Sequence, residues 1–269
     1  LLDKNFYDDW ETVLPSLKCV MNHIGVLKLE WDAILDLERK GSRGNAEAAA
    51  TGASGGGGEL SLLMDSPELT YDRQRHTWKN YWLCHSFPAR TDEFTTWMGE
   101  NCARMPETAT LLKRIPGIRD AFFSRLGPGV ILEEHNGYAD QSNYVLRCHI
   151  PLIVPENVPI ASADWRGRGL TRPPCYIECG GERRYHVLGE PIVFDDSKLH
   201  SAGNLSPDQS RTVLILDFAR PKMVRTGYSI SRISRSMMSG WCRQVYPGIS
   251  GADVQNIVDA RAHSCDFFD

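Results

Sequence analysis

Apolar residues near the start of the chain recur at helical spacing, first Trp10, Val13, Leu17 and Val20, then Trp31, Ile34 and Leu37. This spacing predicts helices within 6–40. A second helical pattern covers 92–114 and is split in two at Pro106, because a proline inside a helix lacks the N–H and clashes with the preceding turn. From Ala121 onward the pattern shortens to strand-sized runs at Ala121–Leu126, Val130–Glu133, Tyr144–Val154, Tyr176–Cys179, Tyr185–Leu188, Ile192–Phe194 and Thr212–Phe218. Clusters of Gly, Pro, Asn and Asp separate them. Helices followed by a series of short strands predict a β-sandwich or barrel backed by N-terminal helices. The tail from Pro221 reads as polar, with a last helix at Ala252–Ala262. Gly41–Gly58 is dominated by Gly and Ala without one large apolar side chain. It reads as a flexible surface insertion, and it lacks the Lys-Ser/Thr ending of a phosphate-binding loop.

Composition narrows the function classes. The net charge of −4 over 269 residues argues against a broad basic surface for nucleic acid. No run approaches the ~18 apolar residues that span a bilayer, so no membrane partner is expected. No 20–50-residue repeat is visible, and the apolar content is too high for a disordered chain. The eight cysteines are scattered and form no CxxC pair. They read as free thiols of a reducing, cytoplasmic setting. What remains is an enzyme or a small-molecule binder.

The strand Tyr144–Val154 carries the first chemical signal. Alternate side chains share a face, which puts Leu146, Cys148, Ile150 and Leu152 on one side and Val145, Arg147 and His149 on the other. The first set suits packing on helices. The second is either the solvated face of an edge strand or a set that includes a buried cation in need of an anionic partner. Arg211 repeats the pattern, sharing a face with Val213 and Ile215. His135 and His200 each stand at the end of a predicted strand or turn. A single histidine is usually structural, but two at strand ends beside inward arginines suggest a metal site. Imidazole suits iron, copper, nickel and zinc alike, so the ligands alone do not name the metal. The usual two-His-one-carboxylate triad would place an acid two residues after the first His. That position is Gly137.

Three blocks of sequence resemble the aspartyl/asparaginyl β-hydroxylases, Fe(II)- and 2-oxoglutarate-dependent oxygenases. The first is Cys102-Ala-Arg-Met-Pro106-Glu-Thr108-Ala109-Thr110-Leu-Leu112, followed by Pro116. The second runs from Ser124-Arg-Leu-Gly-Pro128-Gly129 through His135-Asn136-Gly137 to Arg147-Cys148-His149. The third is Val193-Phe194-Asp195-Asp196-Ser197-Lys198-Leu199-His200, leading to Arg211. Together they cover roughly 80–220 of the chain. The resemblance implies a mainly β fold with flanking helices and a double-stranded β-helix (jelly-roll, cupin-like) core. It implies one oxygenase domain over 1–269, with a mostly helical part to 115, the β core at 116–220 and a C-terminal extension. It also implies Fe(II), 2-oxoglutarate and O2 as cofactors, with His135 and His200 as metal ligands and water in place of the carboxylate. Ser124 and Arg211 would hold the distal carboxylate of 2-oxoglutarate, and Arg147 and His149 would face its metal-chelating end. Asp195 and Asp196 are assigned to the turn that positions His200.

The departures from the family bear on substrate. Relatives acting on acidic residues carry a second Arg where this chain has Val145, and the animal enzymes have a Cys, paired with the match of Cys102, where it has Ala109. The segment Pro155–Pro174, with Asp164, Trp165, Arg166 and Arg168, reads as an inserted lid. Val145 and Ile215 predict a partly apolar substrate pocket. The expected reaction is oxidation of an unactivated C–H bond, at the β-carbon of an amino acid or a peptide-like or amino-acid-derived small molecule, with release of succinate and CO2. Cyclisation and desaturation stay open as outcomes, as do peptide or protein substrates and a non-iron cupin-type binding protein.

Overall fold

In the computed structural model, residues 1–51, 62–65, 78–87, 89–90, 92–163, 169–230, 232–246 and 248–262 are described. Three helices open the chain, α1 (Trp10–Val13), α2 (Leu17–Met21) and α3 (Ile24–Thr51). Three strands follow, β1 (Met64–Asp65), β2 (Trp78–Ser86) and β3 (Thr95–Trp97), then α4 (Gly99–Arg104) and α5 (Pro106–Lys113). Pro106 sits in the first turn of α5, where a missing N–H costs nothing. The first-turn N–H groups of Glu107 and Thr108 donate to Glu30 of α3 at 3.0 and 2.8 Å, which ties the helical layer together.

The β core comprises β4 (Ile118–Leu126), β5 (Ile131–His135), β6 (Val145–Ile153), β7 (Val158–Ala163), β8 (Gly169–Arg172), β9 (Cys175–Cys179), β10 (Glu182–Tyr185), β11 (Ile192–Phe194), β12 (His200–Asn204) and β13 (Arg211–Ala219). A larger sheet has the order β1-β2-β4-β13-β6-β11, with β3 on β2, and a smaller one the order β10-β9-β12-β5. From β4 to β13 the chain crosses repeatedly between them, so strands distant in sequence become antiparallel neighbours. That winding is the double-stranded β-helix, or jelly roll. Among the described residues the arms β7 and β8 pair only with each other, and the 164–168 part of the expected lid lies outside them.

The two faces of the larger sheet have opposite character. Its outer face contributes Leu146, Cys148, Ile150, Phe123, Leu214 and Leu216 to one apolar core with Leu17, Leu27, Trp31 and Ile34 of the helices. Trp31 stacks on Phe123 at 4.5 Å between ring centroids. Burial of such side chains is worth roughly 1.5–3 kcal/mol each, which makes this layer the main support of the sheet. The inner face is polar and lines a cavity.

The structure departs from the sequence reading in several places. The strand expected at Tyr185–Leu188 is instead Glu182–Tyr185, and β7, β8 and β12 form where no strand was expected. Helix α3 runs on through Gly41 to Thr51, since Ala and Glu favour helix strongly enough to carry it across Asn45–Ala50; residues 52–58 lie outside the described residues. The stretch to 115 also contains three strands, and β2 pairs with β4 inside the larger sheet. The polar tail contains α6 (Arg235–Val245) as well as the expected α7 (Gly251–Ala262). Ser234 caps α6 by accepting from Met237 N at 3.1 Å, and Met238 and Cys242 pack with Val254, Val258 and Phe87.

Candidate active site

Strand register builds the site in layers. The pairs Arg211–Leu126, Ile215–Phe122 and Asp217–Asp120 join β13 to β4. On its other edge, Ile215 faces His149 and Asp217 faces Arg147. Alternation then points Asp120, Phe122 and Ser124, Arg211, Ile215 and Asp217, and Val145, Arg147 and His149 into one cavity of about 380 Å³. Every candidate site residue read from the sequence lines it, including His135 and His200 from the smaller sheet. The volume lies at the small end of the roughly 300–1,000 Å³ usual for ligand pockets.

His135 and His200 are direct cross-strand partners of β5 and β12, and their ring centroids are 4.3 Å apart. Each Nδ1 lies against the backbone carbonyl two residues earlier, His135 with Glu133 O at 2.7 Å and His200 with Lys198 O at 2.8 Å. A carbonyl only accepts, so both Nδ1 atoms carry the hydrogen and both Nε2 atoms present a lone pair. Burial lowers the pKa of both, that of His200 to about 3. Two neutral imidazoles with fixed tautomers are the form a metal ion binds. Among the described residues no third His, Cys, Asp or Glu closes a cluster around them.

Arg211 is 1% exposed, and its Nε and Nη1 have no hydrogen-bond partner among the described residues. Burial lowers its pKa to about 10. An isolated buried guanidinium is costly, and a carboxylate ligand removes the deficit. Ser124 is beside it on β4, with its hydroxyl accepting from Trp78 Nε1 at 3.0 Å. That bond uses an acceptor lone pair and leaves the O–H free to donate. His149 is buried and its pKa is pushed well down by burial, by the adjacent His186 and by the arginines.

Arg147 differs. Its Nε and Nη2 bind the two carboxylate oxygens of Asp217 at 2.7 and 2.6 Å, and Nη1 lies 2.8 Å from Asp196 Oδ1. Burial works against its charge, but Asp196 and Asp217 outweigh burial and raise its pKa. Each guanidinium nitrogen has an acidic partner, and Nη1 and Nη2 each keep a second N–H. The expected contact with the chelating end of a cosubstrate would therefore share the guanidinium with Asp196 and Asp217. Asp120 stands across β13 from this group, with its pKa raised by burial and by Asp217.

Asp195 and Asp196 separate in role. Asp195 holds the turn, accepting from Ser197 N and Oγ at 3.1 and 2.7 Å and from Arg220 Nη2 at 2.6 Å. Asp196 lies in the same turn and also lines the cavity, with Oδ1 3.5 Å from His200 Nε2. Gly137 explains the room: a Cβ there would fall within the Asp196 carboxylate and 2.7 Å from Ser142 Cβ. The position that holds an acid in the usual triad must be bare because the acid of the β11–β12 turn, Asp196, fills its space.

The sequence reading also missed the aromatic mouth. Trp82 stacks on Phe122 at 4.1 Å and Trp241 of α6 stacks on Phe87 at 4.7 Å, and all four line the cavity with Trp78 and Tyr138. The signal for α6 was present in the Ser234 cap followed by Met237, Met238, Trp241 and Cys242 at helical spacing.

The chain matches the sequence model of the aspartyl/asparaginyl β-hydroxylases over residues 26–221. It is 31% identical over 145 residues to the ornithine lipid ester-linked acyl 2-hydroxylase of Rhizobium tropici, covering 54% of this chain and 42% of that protein. It is 28% identical over 141 residues to human aspartyl/asparaginyl β-hydroxylase, covering 49% of this chain and 16% of that protein. The matched region thus spans less than half the length of these relatives. Among solved structures, a 2OG-Fe(II) oxygenase family protein from Burkholderia pseudomallei aligns at 13% identity and TM-score 0.39, over 63% of this chain and 77% of that one. A prolyl-4-hydroxylase from Pseudomonas putida aligns at 15% identity and TM-score 0.30, over 71% and 87%. The match over 26–221, spanning the strands that carry both histidines and Arg211, establishes that the chain belongs to the aspartyl/asparaginyl β-hydroxylase family.

Proposed function

We propose that the protein is an Fe(II)- and 2-oxoglutarate-dependent oxygenase, one catalytic unit over 1–269, that oxidises an unactivated C–H bond of an amino acid or amino-acid-derived small molecule. One observation carries the reading: a buried Arg211 with orphaned N–H groups in the same cavity as two neutral, tautomer-fixed histidines. His135 and His200 would hold the iron through Nε2. Arg211 and Ser124 would bind the far carboxylate of 2-oxoglutarate, and His149 would face its other end. Bound there, Fe(II) supplies the chemistry that couples O2 to decarboxylation of 2-oxoglutarate, giving succinate and CO2.

The chain's own groups then define the substrate end. Arg147 is neutralised by Asp196 and Asp217, and Val145 offers no charge. An acidic side chain would enter without a free cation to meet it, which disfavours aspartate. Val145, Ile215, Phe122 and Trp82 present an apolar wall, and the aromatic mouth limits water at the reacting carbon. A second reading is favoured by the same wall and by the Rhizobium relative: the substrate is the acyl chain of an aminoacyl lipid.

Succinate release would be followed with Fe(II), 2-oxoglutarate and a panel of aliphatic amino acids, aspartyl peptides and aminoacyl lipids. Turnover fastest with aliphatic amino acids is expected. Preference for aspartyl peptides would overturn the substrate assignment, and absence of substrate-stimulated succinate throughout would overturn the oxygenase reading.

A further inference from the structure

A buried histidine behind the cavity wall has no role in the scheme above. His186 follows β10, is 1% exposed, and is anchored by its backbone N–H, which donates to Cys175 O at 2.9 Å. Its Nε2 lies 3.3 Å from Nδ1 of His149. Its own Nδ1 is sealed from solvent without a partner among the described residues. Burial and the nearby Arg211 charge lower the pKa of both imidazoles well below 6.5, so both are neutral.

Two neutral imidazoles joined through one hydrogen allow only two arrangements. In the first, His149 donates from Nδ1. His186 must then carry its hydrogen on Nδ1, as a buried N–H with no acceptor, and His149 Nε2 is a bare lone pair. In the second, His186 donates from Nε2. His186 Nδ1 is then a bare buried acceptor, and His149 must carry its hydrogen on Nε2. Each arrangement leaves one N–H unmatched: the first seals it on His186 Nδ1, and the second places it on His149, which lines the cavity. A sealed orphan N–H is rare, which favours the second. His149 Nε2 has no hydrogen bond among the described residues, and the ring lines the cavity.

We propose that His186 is a positioning residue that fixes His149 as its Nε2–H tautomer, so that His149 presents a neutral N–H donor to a carboxylate ligand anchored by Arg211. This rests on the oxygenase reading only for the identity of the carboxylate. With the opposite tautomer, His149 would point a lone pair at an anion and repel it.

The test begins with the full-length, metal-free wild type, labelled with 15N-histidine and observed through two-bond 1H–15N correlations. The His149 signals are identified by their loss in His149→Gln. A hydrogen on Nε2 of His149 is expected; a hydrogen on Nδ1 overturns the proposal without any variant having to fold. In His186→Phe the His149 signals should shift toward the Nδ1–H form. The affinity for 2-oxoglutarate, measured calorimetrically with Zn(II) in place of iron, should fall on the order of tenfold, as for loss of one hydrogen bond to a charged group. His186→Gln, whose amide can donate from the same place, should restore most of it. A folded His186→Phe that keeps an unchanged Nε2–H tautomer also overturns the proposal. If the tautomer is as expected but 2-oxoglutarate fails to bind wild type, the cosubstrate reading fails and the role of His186 stands.

Discussion

Arg147 and Arg211 enter one cavity from adjacent strands of one sheet, yet their surroundings are opposites. Arg147 is closed in by Asp217 and Asp196, so its end of the cavity is electrically complete without a ligand. Arg211 is more deeply buried and has two nitrogens without partners, so its end is completed only by something that binds. The difference shows that inward arginines do not read alike. One holds the scaffold of acids around the histidines, and the other keeps two donors unpaired among the described residues.

The largest expected effect separates the two on stability. Arg147→Ala leaves Asp217, Asp196 and Asp120 buried without their cation and should cost about 3–5 kcal/mol of folding free energy, as for breaking a buried ion pair. Arg211→Met removes an unpaired buried charge, so denaturant unfolding should show little loss or a gain. The same variant should weaken 2-oxoglutarate binding on the order of a hundredfold, the scale of two hydrogen bonds to a charged group. Equal destabilisation by both substitutions would erase the distinction. A smaller effect is expected at Gly137→Ala, where the new methyl meets Asp196 and Ser142. It should cost about 1–3 kcal/mol as overpacking, and an unchanged thermal midpoint would show that Asp196 does not occupy that space.

Acid gives the smallest and most diagnostic contrast. His149, His186 and His200 have folded pKa values below 6.5, so the unfolded chain takes up protons first and stability is lost as pH falls below 6.5. Asp120, Asp196 and Asp217 have folded values raised above 3.8. There the folded chain takes up protons first, and stability is gained as pH falls through those raised values. His186→Phe should therefore flatten the acid loss of stability and Asp120→Asn should steepen it, measured as unfolding free energy between pH 7 and 4. Slopes that move the other way would reverse the assignment of the two ends.

Much of this was legible in residue order. Alternation along 144–154 separated Arg147 and His149 from Cys148 and Ile150 and left the first face open as solvated or inward; the structure makes it the inner one. The same parity, carried two residues past Ile215, would have placed Asp217 inward, but its register opposite Arg147 depends on strand pairing across 70 residues. Strand β12 escaped notice because His200–Asn204 is small and polar, and only its neighbours β5 and β9 make it a strand. Asp196 was assigned to the turn because the FDDS sequence fits one; only the space over Gly137 reveals where its carboxylate goes. The aromatic mouth combines β2, β4 and α6, a meeting of distant segments that local periodicity does not encode.

The most direct test of the account is an anaerobic titration of Fe(II)-loaded protein with 2-oxoglutarate, reading the visible charge-transfer band that a chelating 2-oxo acid gives with ferrous iron. The account predicts a saturable band in wild type that requires at least a hundredfold more 2-oxoglutarate in folded Arg211→Met. A wild type without the band, or an Arg211→Met variant that titrates as wild type does, would contradict it.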